Sequence, residues 1–328
     1  MNTARKLFYY NGGFLRQKRV RRILSMAGYE LTLGLPDRGD MVAVWGQSPN
    51  QYRGQWIAKK RKAGLLRVED AFLRSVQPGR AGDPPLGLIL DRSGCHFDAS
   101  YPCDLENILR HDPLKDTDLL CRAEQAIMRI RDNHISKYNA FETTQSPPAP
   151  GYVLVIDQTF GDAALRASGA GKAEFKAMLA AARREHPDAN IIIKSHAETI
   201  LGHRRGYFSA ADATDTIRLL ATPISPWQLF DGAIAVYTIS SQMGFEAILA
   251  GHTPHVFGQP FYAGWGLSKD RKPITGRTRI LSRAQLFAAA MILYPIWYDP
   301  YRDRLCALED VLDILEAQSR AWRDDHRG

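Results

Sequence analysis

Cysteine is scarce in this chain of 328 residues: Cys95, Cys103, Cys121 and Cys306 form no Cys-x-x-Cys pair and lie near no histidine pair at zinc-ligand spacing. That pattern argues against a disulfide scaffold or a zinc module, and the four read as reduced thiols of a cytoplasmic protein. No run approaches the roughly 20 apolar residues of a membrane-spanning helix. The first residues are basic but lack the apolar stretch of a secretory signal. Also missing are the phosphate loop GxxxxGK[ST], the dinucleotide fingerprint GxGxxG, HExxH and GxSxG, which argues against ATPases, dehydrogenases, metalloproteases and serine hydrolases. Acidic residues are outnumbered, 35 against 43 basic ones.

What is present has the composition of a folded protein, 45% apolar and 24% charged, over a length that suits two domains of roughly 150 residues each. The surplus charge of +8 concentrates between Arg5 and Arg22 and between Lys59 and Arg67. A basic face attracts nucleic acid, an anionic membrane surface or a phosphorylated substrate. With no zinc finger, helix-turn-helix or RNA-binding strand pair in the sequence, nucleic acid is not an expected partner.

Along the chain, Arg16 to Ala27 reads as a short basic helix. "MVAVWGQ" (Met41 to Gln47), "GLLRVED" (Gly64 to Asp70) and "LGLILD" (Leu86 to Asp91) read as buried parallel strands followed by loops, the places where open α/β sheets bind ligands. Helices are expected from Asp104 and from Thr117 to His134. The polar, proline-rich "ETTQSPPAP" (Glu142 to Pro150) reads as an interdomain linker. Beyond it "YVLVIDQT", "ANIIIKSH" and "GAIAVYTISS" are buried strands alternating with helices, as in βαβ units. The expected organisation is therefore a first domain over 1–145, a second Rossmann-like domain over 151–290, and a helical segment over 291–328 that crosses back to the first.

Several positions have the chemistry for a site. Ser240, Ser241 and Gln242 stand where a strand turns into a helix, and exposed N–H groups with neighbouring hydroxyls there make a phosphate cradle; the same serines also suit a plain helix cap. Glu246, one turn on, suits ribose hydroxyls or the helix dipole. Lys194 and His196 stand at the carboxyl end of the strand "ANIIIKSH" (Ala189 to His196) and either reach the same cleft or serve the fold alone. Glu69 and Asp70 end another strand, with Arg74 beyond. Because successive strand residues point to opposite sides, one of the two acids at most is expected to face a reacting centre. Asp157, Gln158 and Asp162 sit at the mouth of the first strand after the linker, with Asp162 equally suited to cap a helix. Tyr262 and Trp265, in a glycine-rich loop, suit either stacking on a sugar or base or plugging the core.

Taken in order, "VWGQ", "VEDAFLRS", "PPLGLILD", "HFDASYPCDLENIL", "VLVIDQTFGDAALR", "IIIKSH", "RRGYF" and "SSQMGFEAILAGHTPHVFGQPFYAGWGL" resemble the capsule-polysaccharide biosynthesis family of retaining β-Kdo transferases, where Kdo is 3-deoxy-D-manno-oct-2-ulosonic acid. The resemblance spans roughly Val42 to Leu267. It implies a GT-B-like α/β fold, two Rossmann-like domains facing a central cleft, with CMP-Kdo as donor and no metal or other cofactor required. It further implies a cytoplasmic enzyme peripheral to the inner membrane. Its acceptor would be a (lyso)phosphatidylglycerol-linked or Kdo-terminated glycolipid, and other capsule-assembly enzymes would be its partners. On this resemblance Lys194, His196, Ser240, Ser241, Gln242 and Glu246 hold the donor, Glu69, Asp70, Asp157 and Asp162 are the catalytic carboxylates, and Arg74, Gln158, Tyr262 and Trp265 contact substrate. His196 is followed by Ala197 where the related sialyltransferase motif has proline, and Asp70 by Ala71 where it has glycine. Two alternatives accompany this reading: an inverting CMP-sugar transferase of the same fold, and a non-catalytic subunit of polysaccharide biosynthesis or export.

Overall fold

A computed structural model describes residues 4–326; residues 1–3 of the expected first domain and 327–328 of the expected last segment lie outside the described residues. In chain order the strands are β1 (Arg5–Tyr9), β2 (Tyr29–Thr32), β3 (Met41–Trp45), β4 (Gly64–Asp70), β5 (Gly87–Asp91), β6 (Tyr152–Ile156), β7 (Ile191–Lys194), β8 (Ile217–Leu220), β9 (Ala233–Thr238), β10 (His255–Val256), β11 (Lys269–Asp270), β12 (Pro295–Asp299) and β13 (Arg304–Cys306). They form a seven-stranded sheet, ordered β13-β12-β5-β4-β3-β1-β2, and a six-stranded sheet, ordered β11-β10-β9-β6-β7-β8.

The second sheet is parallel throughout. Every residue of β6 and β7 is buried, which is why these strands read as unbroken apolar runs: helices cover both faces. The helix Gln242–Ala250 starts at Ser241, whose hydroxyl accepts from Met243 N, and stops at Gly251 with φ of 104°, the left-handed conformation that glycine adopts without a Cβ clash.

Two expectations change, the direction of β5 and the division of the core. β5 pairs antiparallel with β4, so "LGLILD" is not a further parallel strand and its Asp91 lies at the opposite edge from Asp70. The segment Ala71 to Leu86 contains no crossover α-helix, so the chain re-enters the sheet from the edge where β4 ends. The basic stretch beginning at Arg5 opens with an inner strand, Arg5–Tyr9, with Leu7 fully buried, followed by the helices Gly13–Arg16 and Lys18–Met26, the latter inside the helix expected over Arg16 to Ala27. Finally, the apolar core does not divide at the proline-rich stretch. One continuous cluster joins Phe72 and Ile89 beside the first sheet, the helices Asp104–His111 and Thr117–Asp132, Trp227 and Phe245 of the second sheet's helices, and Leu286 to Leu315.

After residue 291 the chain returns to the first sheet as β12 and β13. The last helix, Leu308–His326, is tied to the helix Thr117–Asp132 by Arg122–Glu309, Arg129–Asp313 and Arg129–Glu316 ion pairs. No helix among the described residues is long and apolar enough to cross a membrane.

Candidate functional site

A cleft of about 460 Å³ opens between the two sheets, a size suited to a small-molecule ligand. Eleven sequence-chosen residues line it: Glu69, Asp70, Asp157, Gln158, Asp162, Lys194, His196, Ser240, Ser241, Gln242 and Glu246.

One wall is cationic. Lys194, at the carboxyl end of β7, is only 7% exposed and donates to the carbonyl of Thr222 at 3.1 Å. Among the described residues no carboxylate lies within ion-pair distance of it. Burial lowers its pKa to about 8, so the ammonium persists at neutral pH as a buried charge without a counter-ion, a costly state unless an anion binds there. Beside it, His196 caps the helix Ala197–Ile200, its Nδ1 accepting from Glu198 N at 3.1 Å. Burial, helped by Lys137, Arg204 and Lys194, depresses this imidazole to about 3. It is therefore neutral, with its single proton on Nε2 as a donor. The N-terminus of the helix Gln242–Ala250 completes the wall. Ser240 N donates to Gln158 Oε1 at 2.9 Å, and Gln242 Nε2 crosses to the first lobe to donate to Phe72 O at 2.7 Å. Buried cation, imidazole Nε2–H and helix N-terminus all line one cleft, groups whose chemistry suits an anion.

Carboxyls line the same cleft, Glu69 and Asp70 from the first sheet, and Asp157, Asp162 and Glu246 from the lobe that also carries Lys194. Glu69 is pushed up to about 8, by burial first and then by Asp70 and Asp162, against the pull of Lys137. Glu246, held by Ser136 Oγ at 2.8 Å, is raised by burial to about 7. Asp157 is also raised by burial, to about 6, although backbone N–H bonds pull the other way. Its Oδ1 accepts from Gln158 N and Tyr207 N, and its Oδ2 from Phe208 N. Both oxygens are thus spent on holding the turn after β6 against residues 206–208. Asp162 caps the helix Ala163–Ala167 through Oδ1 alone. Shifted carboxyls collected in one cleft are what acid–base chemistry requires.

The expectation that one residue of the Glu69–Asp70 pair at most faces the cleft fails, because β4 ends there and the cleft wraps around its mouth, admitting both. Arg74 does not line the cleft. It is buried, paired with Asp70 at 2.6 Å and bonded to Ser75 Oγ and Asp83 O, so it orients Asp70 and touches no ligand space. Tyr262 and Trp265 are fully buried. Tyr262 OH donates to Ser241 O at 2.6 Å and Trp265 Nε1 to Phe261 O at 2.7 Å. The aromatic loop plugs the core behind the serine turn, and only Pro260 and Phe261 of it reach the cleft.

Other lining residues were not chosen from sequence, among them Ser136, Lys137, His96 and Trp322. Ser136 and Lys137 follow a helix in an irregular stretch, and the fully buried Asn139 pins them. Its Oδ1 accepts from Ser136 N, and its Nδ2 donates to Ser75 O and Ser136 O. Lys137 lies within electrostatic reach of Glu69, Asp70 and Asp162. His96, held at about 3 by burial and by Lys137, packs edge-on against Phe72 and Phe97. Trp322 arrives from the last helix.

Two α/β sheets facing a cleft that holds a buried lysine and a group of carboxyls define a GT-B-like protein. The chain belongs to the capsule polysaccharide biosynthesis protein family, whose model matches residues 40–146 and 121–296. It is similar to the capsule polysaccharide modification protein LipA of Neisseria meningitidis serogroup B, 36% identical over 293 residues, 86% of this chain and 42% of LipA. It is also similar to the lipopolysaccharide-processing protein LpsZ of Rhizobium meliloti, 36% identical over 243 residues, 73% of this chain and 55% of LpsZ. The chain thus spans about half the length of the curated relatives it matches. Among solved structures, the β-Kdo 2,4 transferase of Thermosulfurimonas dismutans KpsC superposes with a TM-score of 0.89 at 33% identity, covering 96% of this chain and 99% of that one. The β-Kdo 2,7 transferase of the same KpsC, at 23% identity and a TM-score of 0.72, shares the fold.

Proposed function

We propose that this chain is a retaining glycosyltransferase that moves Kdo from CMP-Kdo to a hydroxyl of a (lyso)phosphatidylglycerol-linked or Kdo-terminated glycolipid. It would act at the cytoplasmic face of the inner membrane, beside other capsule-assembly enzymes. The observation that carries the reading is the uncompensated, buried Lys194 sharing one cleft with the shifted carboxyls, of which Glu69 stands on the opposite sheet. The similarity to a β-Kdo transferase over nearly the whole chain supports the choice of sugar.

On this reading the CMP phosphate rests on Lys194, His196 Nε2 and the helix N-terminus at Ser240 and Ser241. Asp162 is the nucleophile, because its Oδ2 is free of backbone bonds whereas both oxygens of Asp157 accept them. Its carboxylate attacks the anomeric carbon, the bond from that carbon to the phosphate oxygen breaks, and the electron pair leaves with CMP. In the second step the acceptor hydroxyl attacks the same carbon from the vacated side, Asp162 departs, and the ionised Glu69 takes the hydroxyl proton. A base that titrates near the working pH suits that task. Two inversions give retention.

The test is intact-protein and peptide mass spectrometry after incubation with CMP-Kdo and no acceptor. A Kdo-sized adduct on the peptide bearing Asp162, absent in Asp162→Asn, is expected. An adduct on another residue reassigns the nucleophile, turnover with no adduct and an inverted product favours single displacement, and absence of CMP binding ends the transferase reading.

A further inference from the structure

A second opening lies away from the cleft, lined by Tyr9, Leu15, Leu33, Tyr52, Trp56 and Ile57 together with polar neighbours of which only Arg53 is charged. Tyr9 at its floor is part of the core, but the rim is not spent on packing: Leu33 is 71% and Trp56 59% exposed. A contiguous apolar patch of this kind on a folded chain marks a binding surface.

The surroundings identify what it binds. The two segments that build most of it, 4–22 and 51–63, hold seven and five lysines or arginines and no aspartate or glutamate. Two of those twelve are spent on acids elsewhere, Arg22 on Asp303 and Arg61 on Asp37. Others flank the aromatic rings themselves, Arg53 over Tyr52 and Lys60 over Trp56, each at 5.8 Å. Tryptophan and tyrosine at the level of basic heads, above an apolar trough, match the boundary between acyl chains and anionic headgroups. A nucleic acid would use the charge and leave the aliphatic floor wet.

Position adds a reason. The groove is built on the carboxyl end of β1, and β1 is separated from β4 by β3 alone, all three parallel. The groove therefore opens on the same sheet edge as Glu69, two strand spacings or roughly 10 Å across. We propose that this groove seats an acyl chain at the surface of an anionic phospholipid bilayer and so docks the carboxyl edge of the first sheet against the membrane. Where it rests on the glycolipid reading above, the same docking presents a lipid-borne acceptor hydroxyl to the cleft.

The experiment is flotation of the full chain with vesicles of phosphatidylcholine alone or mixed with phosphatidylglycerol, read without any sugar donor. Binding to the mixed vesicles is expected at least about tenfold above the neutral ones, with a loss of about tenfold or more in Leu33→Ser/Trp56→Ser. Phosphatidylglycerol brominated on its acyl chains should quench tryptophan emission in the wild type but not in Trp56→Phe. The double variant's melting temperature and its turnover of a water-soluble acceptor should stay at wild-type values, since neither residue touches the cleft. Equal flotation of the double variant, absence of quenching, or a lipid-free dimer that the double variant abolishes would overturn the proposal. So would a shift of labelled RNA at physiological salt that the double variant loses. If soluble-acceptor turnover is missing in every protein while flotation behaves as stated, the catalytic reading falls and the docking stands.

Discussion

The carboxylate of Glu69 occupies the space where a side chain on Gly46 would begin: a Cβ there would lie 1.4 Å from Oε1 and 2.5 Å from Cδ. Gly46 also holds a φ of +40°, and its N–H donates to Val68 O at 3.0 Å. The glycine of "VWGQ" thus makes room for the acid that faces the cleft. Gly46→Ala is expected to displace Glu69 and lower kcat about 100-fold through misplacement alone. CMP affinity should change little, because the anion wall is on the other sheet. Steady-state kinetics beside CMP titration checks this; an unchanged kcat would remove Glu69 from the chemistry.

Glu69 also ties stability to pH. Its folded-state pKa of about 8 stands above its ordinary 4.5, so the folded protein holds this proton more tightly than the unfolded chain does. The fold therefore loses stability as pH rises from about 4.5 to 8, and below 4.5 the group contributes no slope. Glu69→Gln keeps the neutral form at every pH. Its melting temperature should match wild type near pH 4 and exceed it increasingly towards pH 8, while transfer activity is lost. In the wild type kcat should rise with pH through about 8 as this base ionises. Melts that run parallel at all pH values would contradict the assignment.

Lys194 is expected to act on donor binding rather than on the chemical step. Lys194→Met removes a charge-assisted contact of about 1.5–3 kcal/mol, so CMP should bind roughly 10- to 100-fold more weakly by calorimetry. With burial holding the ammonium near 8, wild-type affinity for CMP should weaken as pH climbs past that value, and the variant should show no such step. The unliganded variant should melt no lower than wild type, since a buried charge without a partner has been removed.

Arg277 and Glu106 test the continuity of the core. Their side chains are almost wholly buried and meet at 2.9 Å, while Arg277 also donates to Pro260 O and Ala263 O. One substitution, Arg277→Met, leaves the carboxylate with Arg110 as its remaining cation and frees two carbonyls of the aromatic loop. A destabilisation of about 3–5 kcal/mol is expected, measured by denaturant unfolding. A loss of less than about 1 kcal/mol would show the loop to be held by packing alone.

Some of this was legible in the residues and some was not, and the division follows range. The strands β6, β7 and β9, the cap at Ser241 and the placement of Lys194 and His196 at a strand end are set by side chains within a few positions of each other. The antiparallel turn of β5 was misread, because a buried strand has the same apolar run in either direction. Tyr262 and Trp265 went astray for a similar reason: a glycine-rich aromatic loop looks alike whether it faces a ligand or fills the core. The partner that decided the matter, Ser241 O, is 21 residues from Tyr262.

By itself the sequence determined the family, the alternation of strands and helices in the second half, and a set of candidate site residues most of which line the cleft. Only the tertiary structure decided which carboxylate stands free. Asp157 accepts on both oxygens from backbone donors some 50 residues away, whereas Asp162 accepts on Oδ1 from its own helix. Only the folded chain could bring Lys137, His96 and Trp322 into the same cleft. Strand formation and capping are short-range, whereas exposure, charge pairing and pKa depend on what long-range packing places alongside, as when Gln242 reaches Phe72 across 170 residues of chain.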